Sequence, residues 1–442
     1  MRRRRRSVEA LLLGLVALVV LGAYVLASLG RTASIPADIG PFLGAVFGLF
    51  VVGHVAIRRL APEADGLLLP LAALLNGVGY VFVARMNGDL ARLHALWTAV
   101  GMAGFIGTLV IVRRVRTLER YRYSFAALGI VLLVLPALPG IGREINGARI
   151  WISLGPLNFQ PGEAAKLTLA AFLAAYLVEK RELLSVSTRR IGPLSLPDPQ
   201  HLAPLLGAWG VSVLIMVRQK DLGSSLLFFA LFVVLLWIAT DRAAYLMIGT
   251  VLFGAGAFVA HRLFGHVQAR FRIWIDPWSE AKGAGYQLVE AAFAMADGGL
   301  VGTGLGRGDS ARIPARETDF IFAVIAEELG LLGATAVLAA FVLLVGTVLR
   351  IALRAEVPFE KMLATALGTL LGVQSVLIIG GVVRVLPLTG VTLPFVSYGG
   401  SSLLANYVLL ALVVRISDDS GRRALRRAAE AEAAGSSAAV GS

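Results

Sequence analysis

A small set of ionisable side chains lies within or at the edge of long apolar stretches. These residues are Glu163, Lys166, Asp221, Asp319, Glu327 and Glu328. A charge at membrane depth costs at least about 2.5–3.5 kcal/mol on insertion scales, so each group needs a function or a partner. An opposite charge within about 4–6 Å lowers a carboxyl pKa and preserves a base. Lys166 and Asp319 are therefore the candidate pair for acid–base chemistry, and ion pairs that hold helices together are the structural alternative for the whole set.

The composition requires a membrane around most of the chain. Of the 442 residues, 57% are hydrophobic and 16% are charged. A single core in water cannot bury that much apolar surface, which excludes a soluble enzyme, a disordered chain and a coiled coil. The net charge of +13 is expected from basic cytoplasmic loops rather than from nucleic-acid binding. The absence of cysteine excludes a disulfide framework and a cysteine nucleophile.

Apolar stretches near the ~20 residues that cross a bilayer predict an all-α, polytopic integral membrane protein with about twelve transmembrane helices. The predicted spans are 8–29, 39–57, 66–84, 93–112, 123–139, 163–179, 202–218, 223–240, 244–261, 319–349, 362–383 and 401–416. Both termini are expected in the cytoplasm, because that orientation places most Lys and Arg in internal loops. Two long loops, 139–162 and 262–318, then lie on the outer face, where the candidate base also lies.

Several segments of the chain match one family signature in order. They are Asn146–Pro156 continuing into Phe159–Lys166, Gln219–Ser224, Gly283–Gln287, Gly302–Gly306, Glu317–Gly330 and Pro394–Ser402. Together they resemble the SEDS family (shape, elongation, division and sporulation), which includes RodA and FtsW, and they cover about residues 140–416. The chain is most similar to long RodA-like members, whose two additional helices precede residue 139 and extend the usual family core of about ten spans.

The resemblance implies a peptidoglycan glycosyltransferase that polymerises lipid II in the bacterial cytoplasmic membrane, with an active site that faces outward. It also implies a class B penicillin-binding protein as the partner that cross-links the strands. By the family motifs, Asp319 is required for polymerisation, Lys166 pairs with it, and Trp151 belongs to the first signature. We expect residues 1–138 to form N-terminal transmembrane helices, 139–416 the catalytic membrane region and 417–442 a cytoplasmic tail.

Three positions depart from the family pattern. Glu317 replaces a histidine, Gly162 replaces a serine and Lys220 replaces a proline. None of these changes affects Asp319, Lys166 or Trp151, so the expected activity stands, but no role of the family histidine transfers to this chain.

The implied chemistry joins sugars by a β-1,4 bond with inversion at the anomeric carbon and release of undecaprenyl pyrophosphate. Asp319 would be the general base, a role that typically contributes about 10²–10⁴ in rate. Release of pyrophosphate needs cations or backbone donors. Arg149, Arg218, Lys220 and Arg384 are candidates at outer helix ends, and anchoring by snorkelling is their equal alternative. The residues indicate no particular cofactor, and a divalent cation with Asp221 as a ligand is a further hypothesis for this task.

The remaining candidates for substrate binding are Trp151, Glu163, Ser397 and Ser401. Trp151 could stack on a sugar or belong to the interfacial aromatic belt. The helix start at Ser397–Ser402 could hold an anion with its N–H groups, or could serve helix packing through its small residues. The Gly-rich stretch Gly298–Gly308 has no strand before it, so it is interpreted as a flexible loop rather than a phosphate loop.

Two other function classes stay open at this stage. A polyprenyl-linked sugar flippase or proton-coupled transporter would also have many spans and intramembrane carboxylates. A catalytically inactive scaffold for a transpeptidase is the third reading, because Glu317 departs from the motif. The sequence favours elongation over division or sporulation only weakly.

Overall fold

The structure is a computed structural model that describes residues 2–34, 39–145, 148–155, 157–185, 189–191, 194–196 and 199–440. Asn146, Gly147 and Pro156 of the first family motif lie outside the described residues. The described residues form fifteen α-helices and five short strands.

The helices follow one another with short connections along most of the chain. They are α1 (Arg2–Thr32), α2 (Ile39–Leu60), α3 (Leu68–Met86), α4 (Gly88–Ile111), α5 (Arg122–Val134), α6 (Pro161–Glu179), α7 (Arg181–Ser185), α8 (Pro199–Arg218), α9 (Leu222–Thr240), α10 (Ala243–Leu263), α11 (Gly265–Ile275), α12 (Tyr286–Gly298), α13 (Ile321–Arg354), α14 (Pro358–Val382) and α15 (Gly400–Val440). Short 3₁₀ helices occur at Val115–Tyr121, Leu135–Ala137, Trp278–Glu280 and Ser310–Arg312.

Within the described residues, nine helices are long and apolar enough to cross a membrane. They are α1, α3, α4, α6, α9, α10, α13, α14 and α15. The polytopic all-α architecture is therefore confirmed. The three other predicted spans fall on α2, α5 and α8, and α5 has only 13 residues, so the count of about twelve stays a prediction.

Short antiparallel strands add to the helical architecture where the sequence predicted only loops. In the loop 139–162, β1 (Gly142–Ile145), β2 (Ala148–Leu154) and β3 (Leu157–Phe159) pair in that order. A second pair, β4 (Arg189–Ile191) and β5 (Leu194–Leu196), lies between α7 and α8. The first sheet fixes the chain directly before α6, so it also fixes the family motif that this loop carries.

The centre of the helix bundle consists of α6, α14 and α15. In the apolar stretch of each of these helices, 72%, 78% and 83% of the residues are buried. Small residues dominate the buried face of α6, including Ala165, Ala170 and Ala174, and they allow neighbouring helices to approach closely. By contrast, only 11% of the residues in the apolar stretch of α10 are buried, and α10 packs mainly on α9. The bundle is therefore dense around α6 and open at its α10 side.

Helix α13 is broken at Gly330, whose φ of 65° and ψ of −170° are not helical. The Gly-rich stretch beside it satisfies the backbone groups that the break leaves unpaired. The N–H groups of Thr303 and Gly304 donate to the carbonyls of Glu327 and Glu328 at 2.9 and 3.0 Å, and the N–H of Leu331 donates to the Gly299 carbonyl. The stretch that the sequence suggested as a flexible loop thus caps both halves of a broken helix.

Candidate active site

Helices α6, α9, α13 and α15 begin around one cavity of about 440 Å³. Its lining combines three carboxylates of the sequence set with cations and aromatic residues. The lining residues include Trp151, Gln160, Glu163, Lys220, Asp221, Arg270, Thr318, Asp319, Gly390, Tyr398 and Gly400. The cavity therefore joins all the matched family motifs except the glycine segments of the large loop.

The first turn of α9 and the start of α6 follow ordinary capping rules at the cavity wall. The Asp221 carboxylate accepts the Ser224 N–H at 3.0 Å and so caps α9. Pro161 stands in the first turn of α6, where its missing N–H has no partner to lose. Both helix starts thus deliver carboxylates, Asp221 and Glu163, to the cavity.

Asp319 lies directly before α13 and lines the cavity. The neighbouring backbone is tied to the α14–α15 connection, because Tyr398 N–H donates to the Glu317 carbonyl at 2.8 Å and the Ser397 hydroxyl donates to the Thr318 carbonyl at 2.6 Å. Burial raises the pKa of the Asp319 carboxyl to about 6, while the Thr318 hydroxyl and the charge of Arg270 act in the opposite direction. A carboxyl poised near neutral pH is suited to general-base catalysis.

Arg270 on α11 is the cation that faces Asp319, and the sequence reasoning missed it. Its guanidinium interacts electrostatically with both Asp319 and Asp221, and its Nη1 donates to the Leu388 carbonyl at 3.0 Å. A Cβ added at Gly390 would lie 3.6 Å from Asp319 Oδ2 and 3.9 Å from Arg270 Nη2. The available signal was a basic and aromatic run, Arg270–Trp274, inside the long outer loop.

Lys166 pairs with Glu163 rather than with Asp319, the partner expected from the sequence. Its Nζ pairs with Glu163 Oε2 at 2.8 Å on the same helix and donates to Gln374 Oε1 at 3.1 Å. Both partners of the ion pair are almost fully buried, at 5% and 7% side-chain exposure. Lys166 is not among the residues that line the cavity, and its charge is felt there by Asp221 rather than by Asp319.

Five charged residues at the cavity and directly behind it alternate in sign. The series runs from Asp319 through Arg270, Asp221 and Lys166 to Glu163. Burial raises the pKa of Asp221, and its hydrogen bonds with Ser224 and the charge of Lys166 oppose this rise. Asp319 and Asp221 therefore interact with cations of other helices, and Glu163 interacts with a cation of its own helix.

Lys220 lines the cavity with an exposed side chain and a left-handed backbone, φ 63°. Such a conformation is uncommon outside glycine and asparagine, and it clusters at functional sites. Ala315, with φ 54°, also lines the cavity. Lys220 is thus the one member of the four-cation candidate set that the structure brings to the cavity lining.

The other three cations of that set lie elsewhere. Arg149 donates to the Leu138 carbonyl at 3.3 Å, and Arg218 is exposed in the last turn of α8. Arg384 donates to the Ile275 carbonyl at 3.3 Å, and its own carbonyl accepts the Trp274 indole N–H at 3.1 Å. Arg384 therefore holds the end of α11, the helix that carries Arg270.

Trp151, Ser397 and Ser401 surround the cavity in different ways. Trp151 lies on β2 opposite Arg143 and lines the cavity. The Ser397 hydroxyl accepts the Leu393 N–H at 2.9 Å, and the Ser401 hydroxyl accepts the Gln160 N–H at 2.8 Å. Both hydroxyls thus join segments of the cavity wall, while the backbone at Gly400 lines the cavity itself.

The remaining ionisable groups of the sequence set are paired away from the cavity. Glu328 forms an ion pair with Arg85 at 2.5 Å, and Glu327 accepts the Asp309 N–H at 2.6 Å. Glu317, which replaces the family histidine, contacts Arg316 at 3.2 Å. No group of three or more His, Cys, Asp or Glu side chains suited to a metal ion occurs among the residues described.

Comparison with known proteins identifies relatives along nearly the whole chain. The family described as "Cell cycle protein", which groups FtsW, RodA and SpoVE, matches residues 70–421. The peptidoglycan glycosyltransferase RodA of Mycobacterium tuberculosis is 43% identical over 96% of this chain and 92% of its own length. The stage V sporulation protein E of Bacillus subtilis is 35% identical over 65% of this chain and 76% of its own length.

Solved structures are also similar to this chain. A chain from work on "Structural coordination of polymerization and crosslinking by a peptidoglycan synthase complex" has a TM-score of 0.66 and 28% identity, and covers 80% of this chain and 98% of that one. The rod shape determining protein RodA of Thermus thermophilus has a TM-score of 0.58 and 28% identity, with 80% and 97% coverage. The family match begins inside α3, so α1 and α2 precede it.

Proposed function

Because the chain belongs to the SEDS family and is a membrane-embedded peptidoglycan glycosyltransferase, we propose that its cavity polymerises lipid II with Asp319 as the general base. The observation that carries this proposal is the position of Asp319, a half-buried carboxyl on the cavity wall beside Arg270. Burial holds the pKa of this carboxyl near 6, so it is ionised at neutral pH and still basic enough to accept a proton.

In the proposed step, the Asp319 carboxylate takes the proton of the acceptor 4-hydroxyl. The hydroxyl oxygen forms a bond to the anomeric carbon of the donor as the bond from that carbon to the pyrophosphate oxygen breaks. The configuration inverts from α to β, and undecaprenyl pyrophosphate leaves with the bonding electron pair. Arg270 balances the negative charge of Asp319 in the ground state and orients the carboxylate through electrostatic attraction.

The leaving pyrophosphate needs positive charge, and Lys220 is the cavity cation best suited to supply it. Its side chain is exposed at the cavity and is absent from the series of paired charges described above. The N–H groups at the start of α15, around Gly400, add donors for an anion. A divalent cation carried in with the pyrophosphate would share this task, and Asp221 would be its nearest carboxylate.

The first sheet and the aromatic lining suit a sugar substrate. Trp151 offers a ring face for stacking, and Tyr398 presents a second ring to the same cavity. Lys166 lies behind this surface and pairs with Glu163 of the cavity wall, and we propose that this pair supports the position of Asp221 rather than of Asp319.

The proposed setting is the bacterial cytoplasmic membrane, with both termini inside and the cavity facing outward. The basic cluster Arg2–Arg6 and the Arg-rich segment Arg113–Arg122 then lie on the cytoplasmic side. A class B penicillin-binding protein is the proposed partner, because one structural relative comes from a peptidoglycan synthase complex. We favour a role in elongation.

The test is polymerisation of labelled lipid II by the purified protein together with its transpeptidase partner in detergent. Asp319→Ala should reduce the rate by about 10²–10⁴, the usual contribution of a general base. Asp89→Ala, at a fully solvated aspartate on α4, is the matched control and should retain activity. Polymer formation that persists in Asp319→Ala would exclude Asp319 as the base, and lipid translocation without polymer would favour the transporter.

A further inference from the structure

We propose that Arg85 on α3 is a positioning residue for Asp319. With Glu328 it fixes the half-helix 321–329, which begins two residues after Asp319 and ends at the Gly330 break. The proposal rests on the proposed function, because it assigns a role to residues remote from the cavity in the reaction of Asp319.

The Arg85 guanidinium is the centre of a buried junction between three segments. Its Nη2 lies 2.5 Å from Glu328 Oε1 and 2.6 Å from the Gly308 carbonyl oxygen, and its Nη1 donates to Ser310 Oγ at 2.9 Å. The side chains of Arg85 and Glu328 are 9% and 0% exposed. A planar guanidinium with several fixed donors suits such a junction, and a lysine ammonium would not reproduce it.

The carboxylates of the half-helix bind the same loop from the other side. Glu328 Oε2 accepts the Gly306 N–H at 2.8 Å, and Glu327 Oε1 accepts the Asp309 N–H at 2.6 Å. The loop is therefore connected to the half-helix by side chains as well as by the backbone bonds that cap the break. Arg85 connects both of them to α3.

The Gly330 break makes this junction decisive for Asp319. An unbroken α13 would transmit the rigidity of its long inner part to its first turn, but the break removes that continuity. Glu328 lies nine positions after Asp319, about 13 Å along a helix axis at 1.5 Å per residue. The position of the catalytic carboxylate consequently depends on two attachments, the Arg85 junction at one end and the contacts with Ser397 and Tyr398 at the other.

Helix α1, which precedes the family match, strengthens the junction. Arg31 donates from Nη1 to the Arg85 carbonyl at 2.8 Å. A Cβ at Gly306 would meet the Ala27 carbonyl oxygen at 2.2 Å, so α1 and the loop are in direct backbone contact there. The additional N-terminal helix thus supports the loop that positions the half-helix.

The first experiment separates positioning from folding by kinetics. Arg85→Met should lower kcat about 10–100-fold at unchanged KM for lipid II, because misplacement of a catalytic group by about 1 Å can cost that much. Arg85→Lys keeps the charge and should give an intermediate kcat. Rates are compared below the melting onset of each variant, so that the folded fraction is the same.

A double variant removes the folding penalty without restoring the junction. In Arg85→Met/Glu328→Gln the buried charges of Arg85 and Glu328 are removed together, and the amide oxygen still accepts the Gly306 N–H. We expect its thermal stability to recover toward that of the wild type while kcat stays low. Recovery of kcat together with stability would overturn the proposal, because the junction would then only support folding.

The matched control is Arg415→Met, which removes an equally buried cation from the Asp418 pair at the opposite end of the bundle. It should lose stability as Arg85→Met does and keep kcat. Should this variant fail to fold, Arg350→Met removes the more exposed Arg350–Asp65 pair at the same end and serves instead. An equal fall of kcat in the control and in Arg85→Met would also overturn the proposal.

The chain has no cysteine, so a direct probe of the Asp319 segment is available that does not depend on activity. The rate at which a charged reagent alkylates Thr318→Cys should rise about tenfold when Arg85→Met is added, as local opening of a loosened segment requires. An unchanged rate would contradict positioning even if the protein proved to have no polymerase activity. Absence of polymer in the wild type would contradict only the proposed function.

Discussion

Asp418 and Asp319 lie in different regions of the helix bundle and differ in how many partners they have. At the end where α2 meets α3, Asp418 accepts the Glu63 N–H at 2.8 Å and pairs with Arg422 at 2.8 Å and with Arg415 at 3.4 Å. At the cavity end, Asp319 interacts with the Thr318 hydroxyl and with the charge of Arg270, and its pKa is raised by burial.

Other charges far from the cavity are also paired directly. Arg423 pairs with Glu360, and Arg350 contacts Asp65 at 2.7 Å, so the charges far from the cavity are held by direct ion pairs. In the cavity, Arg270 is shared between Asp319 and Asp221. A carboxylate saturated by partners stabilises a helix junction, whereas a base needs a lone pair that a substrate can reach. The degree of pairing, rather than burial, distinguishes Asp418 from the proposed base, Asp319.

The largest expected effect belongs to the fully paired end. Asp418→Asn should lower the free energy of unfolding by about 3–5 kcal/mol, because it leaves buried Arg415 without its anion. Lipid II polymerisation per folded molecule should stay at the wild-type level. Denaturation in detergent measures the first quantity and kcat the second, and a large fall in kcat would remove the proposed division between the two ends.

Arg270→Met is the corresponding change in the cavity. We expect kcat to fall about 10²-fold, the usual cost of removing one electrostatic group from an active site. Stability should change less than in Asp418→Asn, because Asp319 and Asp221 can take up protons when the cation is absent. Arg423→Met, at the paired end, is the control and should show the reverse pattern, a loss of stability with kcat retained.

The pH dependence should locate the base in the cavity. A general base works when ionised, so the rate should fall as pH decreases through about 6, the pKa of the Asp319 carboxyl. Arg270 lowers that pKa, and its removal in Arg270→Met should therefore move the midpoint of the fall to higher pH. A wild-type profile that is flat between pH 5 and pH 7 would exclude Asp319 as the titrating group.

The smallest effect is expected for Lys220→Ala. An exposed cation contributes up to about 1 kcal/mol to a contact, so kcat/KM should fall a few-fold, and more at low than at high salt. Arg218→Ala, two positions earlier and away from the cavity lining, should have no effect on kcat/KM. An equal fall of kcat/KM in the two variants would mean that Lys220 acts only through its contribution to the net positive charge of this face.

The sequence predicted the family, the polytopic helical fold and the position of Asp319 at a helix start. It also placed Glu163 and Lys166 on one helix face, and their ion pair in the structure agrees with that i, i+3 spacing. Motif order and hydropathy suffice for these conclusions, because they depend on local periodicity and on the family signature.

The partner of Asp319 could not be predicted in the same way. Lys166 and Arg270 are both far from Asp319 in the chain, and the choice between them depends on how α11 packs against the α14–α15 connection. The contact between Lys166 and Gln374 of α14 is likewise a tertiary property. The small sheet β1–β3 escaped prediction because its strands are short and lie in a loop rich in glycine.

The break at Gly330 affects how the protein adapts to bilayers of different thickness. Transmembrane helices adapt to membrane thickness mainly by tilting, and the long inner part of α13, residues 331–354, is the segment that must tilt. Because Gly330 interrupts the helix and the outer half is fastened to a loop and to α3, we expect that tilt to be absorbed at the break. The geometry of polymerisation would then stay constant while the lipid composition around it varies.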